Sequence, residues 1–561
     1  MKFPWSSFRC NPLASHAAQP SKALWRAKHN NICTSHRQEP GHRWHSSAAA
    51  VSAADLRFGQ PVHETHPHIL QAGEPGHYES FLPGSCSPVY KLWETASWRP
   101  KFERWLPDGT ETRKEEKADT SINDTVTPGI TAQEYADRRT ALAKAMTQGS
   151  IAILHAAPVQ YKSGAVFHPY RQESNFFYLT GWDEDDAVAV LEKTGTSELD
   201  YRFHMFVRRK DARDEQWNGY RNGVDAARDI FNADEAYSID GLDSLLPEVL
   251  KSARLIYADV PQQQHNDSAL HAGSRIWRLF STTTTSSSGR DSSYPPQTPL
   301  YPIMNKLRVV KSAAEVANMR KAGQQSGRAI TEAMRRPWQR EKDLHAFLDY
   351  EFIVNGCSGP AYIPVIAGGD RANCIHYTVN NSTLHEGQFV LVDAGGEYGT
   401  YITDISRTWP VSGKFSAPQR DLYEAVLKVQ RSSISLCRAT ANMSLEDIHG
   451  ITARGLVTQL KSLGFDVSIS NVDELFPHHV GHYIGLDVHD CPGYSRREKL
   501  RRGHCVTIEP GIYVPTDDER WPKHFRGLGI RIEDSICVDD DSPFILSTEA
   551  VKEVDDIEAL R

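Results

Sequence analysis

The stretch QFVLVD (388–393) runs into AGGEYG (394–399) and then TYITDISRT (400–408). Two apolar strands around a glycine-rich turn read as a hairpin, with Asp393 closing the first strand and Asp404 inside the second. A hairpin can set these carboxylates side by side, and buried carboxylates need a cation or a shared proton. Taken singly, Asp393 reads as a turn cap and Asp404 as a solvent-facing residue. HHVGHYIGLDVHD (478–490) holds His478, His479, His482 and His489. Imidazole binds metals and titrates near neutrality, so this run reads as a metal site, a proton relay or a chance cluster in a loop. VTIEPG (506–511) places Glu509, and GIRIED (529–534) places Arg531 and Glu533, among β-branched residues. Arg531 and Glu533 project from one sheet face, where a surface ion pair is the plainer reading; Glu509 alone is a strand-end residue before a turn. Together, Asp393, Asp404, His482, Glu509 and Glu533 offer four carboxylates and one imidazole. That donor set suits two hard or borderline divalent ions such as Mn²⁺, and such ions activate water and polarise the bond under attack.

These residues need a scaffold of interleaved helices and strands. Ser312 with Glu315 forms a capping box opening a helix to about Arg335, and another helix covers 341–355. Ser416/Gln419 and Ser444/Asp447 start two more helices, to about 437 and 463. Strands cover 388–393 and 400–409, and 504–538 reads as strands again. Tight glycine turns between consecutive strands favour an α+β architecture with antiparallel pairing over a doubly wound sheet. Upstream, Thr131 and Glu134 form a capping box before a helix through Tyr135, Leu142 and Met146. The runs 150–154, 187–191 and 203–207 read as strands of an α/β domain ending near residue 280. STTTTSSSGRDSSYPPQTP (281–299) reads as a linker or surface loop.

A chain of 561 residues fits two or three domains. The net charge of −8 is spread along the chain and argues against a dedicated nucleic-acid binder. No apolar run is long enough for a membrane-spanning helix. The nine cysteines are scattered and never form C-x-x-C, unlike a disulfide framework or a thiolate zinc site, and a reducing compartment is the natural reading. No acidic residue precedes Glu39, whereas Lys2, Arg9, Lys22, Arg26, Lys28 and Arg37 do. That composition predicts a mitochondrial transit peptide over 1–50. A polar, extended or disordered segment is expected over 51–127.

At the metal-ligand candidates the chain resembles the creatinase/aminopeptidase P/methionine aminopeptidase family. VDAGGEYGTYITDISRTWPV, GHYIGLDVHD, IEPGIYV and RIEDS follow the aminopeptidase P pattern in order. Upstream, NKLRVVKSAAEVANMRKAG and YRQESNFFYLTGWDEDDAVAVL extend the resemblance to roughly 128–561. It implies an α/β aminopeptidase P N-terminal domain (128–300) and an α+β "pita-bread" catalytic domain (301–561). It implies five metal ligands, Asp393, Asp404, His482, Glu509 and Glu533, holding two divalent ions, with Asp404 and Glu533 bridging. Glu509 would also steer a proton, His376 would contact substrate, and His489 would stabilise the tetrahedral intermediate. Arg531 would support Glu533, with Tyr513 nearby. The transit-like start and GQPVHETHPHILQAGE (59–74) are similar to the mitochondrial branch, Xaa-Pro aminopeptidase 3 and the intermediate-cleaving peptidases; the stretch 75–125 departs from that pattern. The implied activity is release of one residue from peptide or imported-protein N-termini, in the mitochondrial matrix or at the inner membrane, by a homodimer or higher homo-oligomer. The alternatives are a prolidase acting on Xaa-Pro dipeptides and a non-catalytic peptide-binding relative.

Overall fold

The computed structural model describes residues 125–259, 271–281 and 295–561. The expected transit peptide, nearly all of the 51–127 segment and most of the 281–299 linker lie outside the described residues. Where those expectations meet the structure, both change. Thr125–Thr127 is a strand paired antiparallel with Ile130–Thr131, and Gln297–Thr298 is a strand parallel to Leu255–Ala258. The N-terminal α/β region therefore does not end near 280. Its six-stranded mixed sheet runs in the order 297–298, 255–258, 150–155, 188–193, 201–207, 235–238.

The expected helices are present: Ala132–Ala145, Ala313–Met334, Glu341–Val354, Ala417–Ile434 and Leu445–Ser462. The Ser312/Glu315 and Ser444/Asp447 boxes close reciprocally. The Thr131 box is only half formed. Thr131 accepts from the Glu134 amide, but the Glu134 carboxylate is taken by Arg138 at 2.6 Å and by Ser312 Oγ at 2.7 Å. A helix over Tyr301–Arg308, with Pro302 in its first turn, was not legible just after the expected linker.

The C-terminal ladders are antiparallel, as expected for α+β. Val365–Gly368, Phe389–Asp393 and Ser406–Pro410 form one sheet, with Asp393 opposite Ser406. The expected strand 400–409 is two strands. Tyr401–Ile402 pairs with Gly396–Tyr398, and Ser406–Pro410 pairs with Phe389–Asp393. The core does not respect the boundary between the halves. Ile130, Phe177 and Met205 share one buried cluster with Met319, Tyr401, Ile484 and Leu546.

Behind the central strands lies a buried charge network. Arg407 and Asp534 are both fully buried, and Arg407 Nη2 donates to Asp534 Oδ1 at 2.7 Å. Lys552 Nζ and Gln430 Nε2 donate to the other Asp534 oxygen at 2.5 and 2.7 Å. Replacing Asp534 with Asn leaves a buried guanidinium without its counter-charge. We expect a loss of roughly 3–5 kcal/mol of stability, read as a lowered urea midpoint with an unchanged m-value; a midpoint like that of the parent protein would contradict this account.

Candidate metal centre and active site

The site is assembled from strand ends. Asp393 closes the Phe389–Asp393 strand. Asp404 does not lie inside a strand; it sits in the break between Tyr401–Ile402 and Ser406–Pro410. The break has a steric cause. The Gly395 backbone approaches Thr403 so closely that a Cβ there would lie 1.9 Å from the Thr403 carbonyl oxygen. The Asp404 amide, taken out of the ladder, donates to Ser535 Oγ at 3.0 Å. His482 is positioned in the same way: a Cβ on Gly481 would lie 1.9 Å from the Thr507 carbonyl oxygen. Glu509 lies between Cys505–Ile508 and Gly511–Tyr513, and Glu533 between Gly529–Arg531 and Asp534–Val538. Four of the five candidate ligands thus occupy gaps between regular elements.

These gaps converge. Asp404, His482 and Glu533 each present a ligand atom within 4.8 Å of the others. Glu509 Oε1 is 3.8 Å and Asp404 Oδ2 3.5 Å from His482 Nε2. Tyr362, which the sequence reading missed, joins the remaining carboxylate: its hydroxyl lies 2.7 Å from Asp393 Oδ1 and 2.5 Å from Asp404 Oδ1. Arg531 does not pair with Glu533 as a surface ion pair. It is buried, contacts Asp393 Oδ2 at 2.6 Å and Tyr513 Oη at 2.8 Å, and donates to Ser406 Oγ, which in turn donates to Glu533 Oε2.

His478, read as part of the cluster but given no role, proves to be built in. Its Nδ1 bonds the His479 carbonyl oxygen at 2.9 Å, so its Nε2 accepts from Tyr513 Oη at 2.9 Å. Arg531, Tyr513 and His478 therefore form a directed chain. His489 lies edge-on to His482, with ring centroids 4.4 Å apart. His376 is exposed, near enough for its charge to be felt by His489.

The electrostatics follow from this crowding of carboxylates. Burial, and next the Asp404 charge, push the Asp393 carboxyl up to about 6 despite Arg531. Burial pushes Glu509 up to about 7 and Glu533 well above the usual range. His482 is raised to about 9, because Asp404 and Glu509 outweigh the effect of burial, and Asp404 is correspondingly lowered. Burial, aided by Arg531, drops His478 to about 3 and keeps it neutral. Among the described residues, Glu533 Oε1 is buried without a hydrogen-bond partner. Four carboxylates facing Arg531 and one imidazole form a donor set short of positive charge, and the unpartnered Glu533 oxygen is free to bind a cation. The residues fit a divalent metal centre.

Comparison with known proteins agrees. Residues 317–540 match the model for metallopeptidase family M24, and residues 135–257 match the aminopeptidase P N-terminal domain. The chain is 45% identical to intermediate cleaving peptidase 55 of Saccharomyces cerevisiae, over 90% of this chain and 88% of that protein. It is 37% identical to Xaa-Pro aminopeptidase 3 of Homo sapiens, over 78% of this chain and 87% of that protein. A crystal structure of the yeast peptidase lacking its N-terminal 58 residues superposes with TM-score 0.71 at 43% identity, covering 78% of this chain and 99% of that one. Escherichia coli aminopeptidase P superposes with TM-score 0.70 at 33% identity, covering 77% and 98%. The chain belongs to metallopeptidase family M24, in its aminopeptidase P group, and carries the pita-bread catalytic fold. It is a hydrolase of the aminopeptidase class.

The raised carboxyls set the pH behaviour of chelator-treated protein. Asp393 and Glu509 favour the folded state while protonated, and that contribution is lost as pH rises through about 6 and about 7. His482, raised from 6.5 to about 9, starts to lose its own contribution above about pH 6.5 and adds to the fall. We therefore expect the Tm of metal-free protein to fall between pH 5 and pH 8, by an amount equivalent to about 3 kcal/mol at most for Glu509. Added divalent metal should restore it at the upper end. A metal-free Tm that is flat or rises across this range would show that the carboxylates are not crowded as described.

Proposed function

We propose that this chain is a dinuclear metallo-aminopeptidase of the intermediate-cleaving type, loaded with Mn²⁺, which trims one residue from the N-termini of proteins imported into mitochondria. The observation that carries this reading is the convergence of Asp404, His482 and Glu533 within 4.8 Å, with one Glu533 oxygen unpartnered. Asp393, Asp404, His482, Glu509 and Glu533 are the residues that would hold the metal. Mitochondrial action is supported by the acid-free N-terminal segment and by the Arabidopsis thaliana relative, named as a mitochondrial intermediate cleaving peptidase. The matched regions also support a division into an N-terminal domain over 128–300 and a catalytic domain over 301–561. A homodimer or higher homo-oligomer is part of the proposal, with no integral membrane span and no nucleic-acid partner.

Bound divalent metal supplies a water ionised near neutral pH and polarises the scissile carbonyl. The rest falls to side chains of this chain. Glu509, a carboxylate beside the reacting bond, can take a proton and return it to the departing amine. His489, beside His482 and exposed on its outer edge, donates a hydrogen bond to the carbonyl oxygen as negative charge builds there. Arg531 and Tyr362 hold Asp393 from two sides, which fixes its oxygens. Arg531, through Tyr513, also orients the neutral His478 ring beside Glu509, 3.7 Å away. His376 meets the substrate at the exposed rim.

The test is mass spectrometry of two otherwise identical decapeptides beginning Tyr-Pro and Tyr-Ser, incubated with Mn²⁺-loaded enzyme with and without chelator. Loss of tyrosine from the Tyr-Ser peptide, abolished by chelator, is the expected result. Cleavage of the Tyr-Pro peptide alone would assign a proline-specific aminopeptidase instead. Cleavage restricted to Xaa-Pro dipeptides would assign a prolidase, and intact peptides throughout would assign a binding protein. Glu509→Ala should lower kcat/KM by at least about 100-fold with an unchanged circular dichroism spectrum; full activity would remove Glu509 from the scheme.

A further inference from the structure

The segment 485–492, which carries His489, contains neither strand nor helix. Its polar side chains are nevertheless held tightly, by Ser174 of the N-terminal region and by Asn305, Arg308 and Lys311 at the start of the catalytic half. Ser174 Oγ donates to Asp487 Oδ1 at 2.7 Å. Arg308 Nη2 donates to Asp487 Oδ2 at 2.7 Å and also to Asp490 Oδ1. Lys311 Nζ donates to Asp490 Oδ2 at 2.7 Å. Asn305 Nδ2 donates to the Pro492 carbonyl oxygen at 2.6 Å. Arg308 lies at the end of the Tyr301–Arg308 helix, and Lys311 follows it just before the first long helix of the catalytic half.

The placement costs energy that packing alone does not require. Arg308, Lys311 and Asp490 are 3%, 4% and 5% exposed, and Arg308 Nε is buried without a partner. Buried ion networks of this kind are often no more stable than an apolar replacement. What this one supplies is geometry. One guanidinium nitrogen bridges Asp487 and Asp490, the residues on either side of Val488 and His489, so the two carboxylates cannot move apart. With Asp490 also fixed by its amide to the Tyr483 carbonyl oxygen at 2.9 Å, the backbone direction at His489 is set. The imidazole is thereby kept edge-on to His482.

We propose that Arg308, at the start of the catalytic half, is a positioning residue for His489. Arg308 touches neither the candidate ligands nor the substrate; it acts by holding Asp487 and Asp490. The proposal rests on the reading of His489 as the group that meets the developing oxyanion.

The experiment is a double-mutant cycle on full-length, Mn²⁺-loaded enzyme, using Arg308→Lys, which keeps the charge and loses the fork, and His489→Ala. Arg308→Lys should lower kcat by roughly 10-fold or more, as loss of a supporting contact typically does, with KM and bound Mn²⁺ unchanged. In the His489→Ala background the same substitution should change kcat less than about two-fold, because coupled residues are not additive. An equal loss in both backgrounds, or parental kcat for Arg308→Lys alone, overturns the proposal. Asp487→Asn, at a half-exposed position, runs the same cycle if Arg308→Lys does not fold. Parental kcat for His489→Ala would instead overturn the reading of His489 itself, and the proposal with it.

Discussion

Asp393, Asp404, Glu509 and Glu533 share a buried volume with one imidazole and one guanidinium, and mutual repulsion among those carboxylates is the constraint on which the rest of the structure depends. In protein alone, the repulsion is contained by protonation, by a phenol wedged between Asp393 and Asp404, and by Arg531 on the far side of Asp393. Each device also holds a candidate ligand oxygen in place. The same arrangement that is costly without metal is therefore preorganised for it.

The scaffold absorbs that cost by rigidity. The strand Ser406–Pro410 presents Ser406 to Arg531 and Glu533 on one side and anchors Arg407 to Asp534 on the other. Asp534 follows Glu533 directly, so the network behind the sheet and the ligands in front of it are fixed by adjacent residues. Close glycine approaches at Gly395 and Gly481 do the equivalent work for Asp404 and His482, because each lets two backbones meet where a side chain would hold them apart.

What could be read from sequence follows from the range of the forces involved. The helices at Ser312 and Ser444 were legible because a capping box is a four-residue interaction. The Thr131 box was misread because its glutamate found a partner 178 residues away in Ser312. The candidate ligands were legible by type and order, since a carboxylate is conspicuous among apolar neighbours. The break that frees Asp404 was not, because it depends on the close approach of Gly395 to Thr403 and on Ser535 across the fold. Tyr362 was missed for the same reason: its partners lie 31 and 42 residues away, and nothing local marks a tyrosine as a bridge. The helix Tyr301–Arg308 was hidden beside a low-complexity run, yet it supplies Arg308.

One buried cluster takes residues from both halves, with Ile130 and Phe177 packed in the same core as Tyr401 and Leu486. Such a core cannot come apart in stages without exposing apolar surface on both sides at once. The two halves are therefore expected to melt in a single cooperative transition despite matching two separate family models. A chain severed between them would not release a working catalytic fragment, because the cut would unseal the core that the metal-binding strands lean on.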